Sequence, residues 1–165
     1  MTEVTIRPAR EADAHRIVEF VRALAAFENE PLEHVQITTE DVLRDAFGDP
    51  ARFEVLLADR DGTSVGFALF FHSYSTWEGR PGLYIEDLYV EGSERGNGVG
   101  LQLMAAVARL AEERGCGRVE LSVLDGNPAR KFYERLGMWH TEKWLSYRIV
   151  RPELSALAAL ADSHN

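Results

Sequence analysis

Arg95-Gly96-Asn97-Gly98-Val99-Gly100 follows a strand-like run, Leu83–Val90, by a few residues and leads straight into a helical pattern, Gly98–Glu113. No other feature constrains the fold as much. Alternate glycines let the backbone approach a ligand closely, and successive N–H groups at a helix start form an anion cradle. Arg95 adds a charge suited to phosphate. A flexible turn that merely opens a helix would have the same spacing. A P-loop is excluded, because no Gly-Lys-Ser/Thr ends the stretch. The dinucleotide fingerprint fits poorly: its third glycine should fall at Leu101, and its loop should leave the strand directly, not after Glu91–Glu94. Glu120, roughly 20 residues on, keeps that alternative open.

The rest of the chain alternates in the same way. Val4 and Ile6 read as a short first strand, and Ile17, Phe20, Val21, Leu24 and Phe27 recur at helical spacing. A second helix is expected over Glu40–Phe47, with Val42, Leu43, Ala46 and Phe47 on one face and Gly48 stopping it. Phe53–Ala58 and Val65–Phe71 are β-type runs joined by Asp61-Gly62, a hairpin signal. Val119–Leu124 reads as a strand, Pro128–Leu136 as a helix closed by Gly137, Trp144–Val150 as a last strand, and the segment from Pro152 as a short helix. Strands alternating with helices imply α/β packing, with an antiparallel part from the hairpin.

At 165 residues the chain is expected to form a single domain, 1–165. Its 18 basic and 27 acidic residues leave a net charge of −9, which argues against nucleic-acid or anionic-membrane partners and suits a cationic substrate. A single cysteine, Cys116, excludes an intramolecular disulfide framework and a Cys-cluster zinc site, and the histidines show no metal-ligand spacing. No metal is expected. The N-terminal residues lack a basic-then-apolar leader and no apolar run reaches membrane-spanning length, so the expected location is cytoplasmic.

Two further patterns carry chemistry. Glu86-Asp87 lies inside Leu83-Tyr84-Ile85-Glu86-Asp87-Leu88-Tyr89-Val90, where adjacent side chains point to opposite faces unless a bulge intervenes. At least one carboxylate then approaches a low-dielectric region, which raises its pKa and improves it as a base near neutral pH. A salt bridge to a structural arginine is the plainer reading. In Asn127-Pro128-Ala129-Arg130-Lys131-Phe132-Tyr133, proline opens a short helix; Tyr133 reads as core by its spacing, yet its phenol is a possible proton donor. Between Arg22 and Arg44, Glu28, Glu30, Glu33, Glu40 and Asp41 occur without an intervening Lys or Arg; a wall for a cationic amine and a solvated acidic loop fit equally well.

Taken in this order, these pieces resemble the GNAT superfamily of acetyl-CoA-dependent N-acetyltransferases. Ile6-Arg7-Pro8-Ala9, Leu24-Ala25-Ala26-Phe27-Glu28, Phe47-Gly48, Tyr74–Arg80, Leu83–Val90 and Leu124-Asp125-Gly126-Asn127 extend the resemblance to the diamine acetyltransferase branch. Tyr74–Arg80 is closer to the thialysine Nε-acetyltransferase type; the spermidine/spermine type has an aspartate where Ser75 stands. The resemblance implies a mixed α/β (α+β) fold, with a central twisted sheet of about six to seven strands whose fourth and fifth splay apart. Acetyl-CoA would lie in that gap, its pantetheine on the backbone of Leu88, Tyr89 and Val90 and its pyrophosphate on Gly96, Asn97, Gly98, Val99, Gly100 and Leu101, with Arg95 and Asn127 as further contacts. It also implies Glu86 as a water-mediated general base, Tyr133 as the general acid, the Leu88 N–H as an oxyanion donor, Glu28, Trp77, Glu86 and Asp87 on the acceptor side, and a homodimer. The interval from Asn127 to Tyr133 is one residue shorter than usual, and Gly126 replaces a bulky aromatic. Another amine acceptor, including a protein amine, and a non-catalytic acyl-CoA sensor are the alternatives.

Overall fold

The computed structural model describes residues 3–161. They fall into two compact units that meet in sequence between Ser122 and Val123. The first carries a five-stranded sheet in the order β1-β2-β3-β4-β5. Its strands are β1 (Thr5–Pro8), β2 (Glu54–Arg60), β3 (Thr63–Ser75), β4 (Arg80–Val90) and β5 (Val119–Leu121). The first four pair antiparallel and β5 joins β4 in parallel, which gives the mixed sheet expected.

Asp61 and Gly62 join β2 to β3 with φ of 51° and 78°. Two consecutive positive φ values are what a two-residue hairpin turn needs, which is why Asp-Gly announces it. Helices α1 (Ala14–Phe27) and α2 (Thr39–Phe47) bury Ile17, Phe20 and Val42 against Val55, Leu57, Phe67 and Leu69 of β2 and β3. Phe20 stacks on Phe67 at 5.3 Å between ring centroids. Leu43 and Phe27, although at helical spacing with the core residues, are substantially exposed. α2 starts with a capping box: Thr38 Oγ1 accepts the Asp41 N–H, and the Asp41 carboxylate accepts the Thr38 N–H. α3 (Val99–Glu113) buries Val99, Leu103, Met104, Val107 and Ala111. On β1, Arg7 donates to Asp13 at 2.8 Å and to Asp59 at 2.6 Å, tying the start of α1 to the sheet.

The strand count corrects the expectation of six to seven. Trp144–Val150 forms no strand, and its large side chains are exposed, from Ile149 at 46% to Tyr147 at 92%. Alternation alone makes no strand without a ladder partner, and β5 itself stops at Leu121 instead of reaching Leu124. The second unit, taken by itself, contains α4 (Ala129–Arg135) and α5 (Glu153–Ala159).

Candidate active site

β4 is flanked on both sides only at its start. Leu83, Tyr84 and Ile85 pair with Val119, Glu120 and Leu121; from Asp87 to Val90 the pairing continues with β3 alone. The ladder between β4 and β5 thereby ends at Ile85 and leaves polar backbone groups of β4 beyond it without a β5 partner, as the splaying implied by the resemblance requires.

The opening coincides with a bulge. Leu69 faces Asp87 and Phe70 faces Ile85, so Glu86 has no residue opposite. Such an insertion bends the strand and re-aims its side chains. Glu86 is exposed and Asp87 half-buried. Burial, then the neighbouring charges of Glu86 and Glu28, push the Asp87 carboxyl up to about 6. Glu28, the residue closing α1, is raised too, by burial and by Glu30. Among the described residues, none of the Glu28, Glu86 and Asp87 side chains has a cationic partner or hydrogen-bond donor. Their neighbours in sequence differ. Asp41 caps α2 and pairs with Arg44 at 2.8 Å, and Glu30 faces His34 at 3.4 Å. Of the acids between Arg22 and Arg44, Glu28 is the one whose charge acts on Asp87.

The glycine loop lies between β4 and α3. Gly96 and Gly98 both have φ of 81°, a backbone that side chains rarely adopt, and a Cβ on either would meet nothing within 4 Å. No side chain caps α3 and no acid occupies its first turn. The first N–H groups of a helix lack intrahelical acceptors, so those of Gly98, Val99, Gly100 and Leu101 are available to an anion. The Arg95 side chain packs beside the loop against two aromatic rings. Its guanidinium lies 3.9 Å from the Phe27 ring centroid and 5.3 Å from that of Tyr89, and its Nε donates to the Val90 carbonyl at 2.9 Å.

The other expected site residues sit on different elements. Trp77 is 87% exposed in the turn between β3 and β4, which at the rise of a strand is roughly 20 Å along β4 from Glu86. Ser75 is buried and its Oγ accepts the Glu78 N–H at 3.2 Å, holding that turn. In the second unit, Asn127 Oδ1 accepts the Ala129 N–H at 2.9 Å and so serves the start of α4. Tyr133 is half-buried on α4, its ring 5.3 Å from that of Phe132. A cavity of about 310 Å³ beside β1, lined by Ile6, Phe47, Leu56, Phe70 and Leu110, contains none of the expected site residues. The place of the bulge and the contacts of Arg95 were beyond sequence reasoning, because each depends on which residues of β3 and α1 face β4.

Among the described residues, no helix is long and apolar enough to cross a membrane. The acetyltransferase (GNAT) family model matches residues 18–138. A thialysine N-ε-acetyltransferase of Mus musculus is 37% identical over 96% of this chain and 99% of its own length. An L-ornithine N5-acetyltransferase of Arabidopsis thaliana is 38% identical over 68% of this chain and 50% of its own. An integron cassette protein from the mobile metagenome of V. cholerae superposes with a TM-score of 0.78 at 25% identity, covering 96% of this chain and 98% of that one.

Proposed function

The chain belongs to the acetyltransferase (GNAT) family, and from that premise we propose that it transfers acetyl from acetyl-CoA to the primary amine of a small cationic metabolite, a diamine or a thialysine-like amino acid. One observation supports the choice of acceptor: Glu86 and Asp87 lie at the β4 bulge, Asp87 feels the charge of Glu28, and none of the three has a cationic partner among the described residues. Carboxylates brought together in a half-buried place raise one another's pKa, and a bound ammonium relieves that cost. The named substrates of the relatives, thialysine and ornithine, support the same class.

The residues present suit acetyl-CoA. The glycine loop leaves space where side chains would stand, and the amides opening α3 are those a pyrophosphate favours. Gly96–Leu101 would hold that group, and the open edge at Leu88–Val90 would pair with the pantetheine amides. Bound there, acetyl-CoA supplies the activated acetyl thioester.

An ammonium of pKa about 10 has no lone pair, so the acceptor must lose a proton before it attacks. Glu86 takes that proton through a water, and Tyr133 donates one to the departing thiolate. One observation favours a second holder of the base role: Asp87, beside Glu86, is the carboxyl raised to about 6. Rate profiles against pH separate the two. Glu86→Gln should remove the acidic limb, where activity falls as the base is protonated, if Glu86 is the base, whereas Asp87→Asn should do so if Asp87 is.

The exposure of Trp139, Trp144, Leu145 and Tyr147 in the second unit supports a homodimer, because large apolar side chains left in solvent favour association. Sedimentation would report it. The deciding experiment for function follows release of CoA thiol with thialysine, lysine, ornithine, spermidine and putrescine. Rapid release with the diamino compounds is expected. Acetyl-CoA binding without release for any amine, protein amines included, would mark the chain as a sensor.

A further inference from the structure

The glycine loop is held only weakly by its own atoms. Gly96 and Gly98 have no side chains to pack, and the N–H groups of Arg95 and Asn97 reach the carbonyls of Gly92 and Glu94 at 3.4 Å. Glycine also loses more conformational freedom on ordering than any other residue. The far end of the loop is secured by α3, where Val99 and Leu103 are buried. Its entry is the single 3-10 turn Gly92–Glu94, which leads in from β4 and needs an anchor of its own.

An acid–arginine pair fixes that turn at each end. Glu91, just before it, meets Arg16 of α1, and the Glu91 N–H donates to the Val65 carbonyl of β3 at 2.9 Å. Arg16 also donates to the Ser64 carbonyl at 2.8 Å and lies 4.2 Å from the centroid of the Phe20 ring, which is buried in the core. Glu94, the last residue of the turn, meets Arg60, the last residue of β2: Oε2 and Nε are 2.9 Å apart, and both atoms are buried. These two side chains are 18% and 13% exposed, so water screens their attraction little. The turn is thereby tied to α1 and to both strands of the β2–β3 hairpin. Charge points the same way. Two unpaired carboxylates a few residues before an anion cradle would repel a pyrophosphate, whereas carboxylates paired with arginine add no net charge there.

We propose that Arg60 and Arg16 are positioning residues for the cosubstrate loop: through Glu94 and Glu91 they fix the turn Gly92–Glu94, and so hold the amides of Gly96–Leu101 in place for an anion. The arginines act through the glutamates and not on the ligand. The proposal rests on the reading of that loop as the acetyl-CoA site.

Backbone nitrogen relaxation and calorimetry with CoA test it. The proteins are the wild type, Glu94→Gln, Arg60→Gln, their double variant, and Glu91→Gln. Gly96 and Gly98 should have order parameters near the rigid value of about 0.85 in the wild type and should fall towards about 0.6 in the variants, while α3 from Leu103 onward stays rigid. Ordering even one residue's backbone on binding corresponds to roughly a five- to thirty-fold loss of affinity, so CoA should bind that much more weakly to Glu94→Gln. Arg60→Gln should lose more, because it also leaves the Glu94 charge uncompensated, and the double variant should return to the level of Glu94→Gln. The KM for acetyl-CoA should rise in parallel, with kcat and the KM for the amine little changed. Arg16 and Glu91 are more exposed than the other pair, so Glu91→Gln carries the same expectation should removal of a buried partner prevent folding.

Unchanged order parameters in the variants, or a loop already mobile in the wild type, overturn the proposal. Weaker CoA binding with an equally rigid loop would show the arginines acting by charge alone, and additive losses in the double variant would show that the pair does not act as a unit. Either result refutes positioning. A wild type with an ordered loop that binds no CoA refutes the acetyl-CoA reading, and the proposal falls with it; the other results leave that reading intact.

Discussion

Asp87→Asn should stabilise the protein at neutral pH and do much less in acid. Desolvation, then the charges of Glu86 and Glu28, raise the Asp87 carboxyl from an ordinary 3.8 to about 6. In the folded chain the proton therefore stays on until about pH 6, whereas in the unfolded chain it leaves near 3.8. Between those values the folded state binds more protons, so stability falls as pH rises, and above about 6 the loss is complete. The full loss is about 3 kcal/mol, at 1.36 kcal/mol for each pH unit separating the two states. Most of the carboxyls in the unfolded chain are already ionised at pH 4.5, so only about 2 kcal/mol remains to be lost between pH 4.5 and 7.5. Asparagine keeps the shape and abolishes the charge. Urea unfolding followed by circular dichroism at both pH values should show the variant gaining about 2 kcal/mol more over the wild type at pH 7.5 than at 4.5. The same replacement should weaken amine binding most at pH 7.5, because a cationic ligand is what makes the ionised Asp87 favourable. An equal effect of the substitution on stability at both pH values would refute the argument, since a mere packing change has no reason to follow this titration.

Gly98→Ala should cost about 1 kcal/mol, the penalty for a side chain in the left-handed region, without any clash. Its methyl group fills the space before the loop, so the acetyl-CoA KM should rise more than kcat falls in steady-state kinetics. Thr38→Ala breaks the α2 capping box and should lower stability by about 1 kcal/mol, a melting shift of roughly 2–4 °C, with activity retained. Tyr133→Phe should slow turnover while circular dichroism and melting stay those of the wild type; undiminished turnover would return Tyr133 to a packing role.

What could be read from the sequence was what depends on neighbours in the chain. Asp61-Gly62 specifies its hairpin because both residues tolerate positive φ, and the loop glycines mark a strand-to-helix turn for the same reason. Helices α1 and α3 follow from the spacing of residues such as Ile17, Phe20, Leu103 and Val107. Residues whose meaning depends on a distant partner were misread or left open. Phe27 has the spacing of a core residue yet lies exposed under Arg95, and Trp144–Val150 alternates like a strand without joining the sheet. The bulge is of the same kind. Whether Glu86 and Asp87 sit in register is decided by Leu69 and Phe70 across the ladder, and nothing within Leu83–Val90 states it. The sequence located the carboxylates; the register decides which of them is buried.

The same separation of local from distant resolves how a chain of net charge −9 can take a polyanionic cosubstrate. A cradle of lysines and arginines would bind phosphates by charge, and salt would weaken it steeply. The cradle here consists of helix-start amides, and its one arginine is engaged with two rings and a carbonyl. Amide dipoles at van der Waals range are little screened, whereas the repulsion between the whole acidic chain and the approaching ligand is long-ranged and is screened. Raising sodium chloride from about 50 to about 500 mM should therefore leave acetyl-CoA affinity unchanged or improve it, since the Debye length falls from above 10 Å to below 5 Å over that range. Titration at the two salt concentrations reads this directly. A steep fall would mean that cationic side chains hold the phosphates, and the assignment of the anion to the Gly96–Leu101 backbone would have to be abandoned.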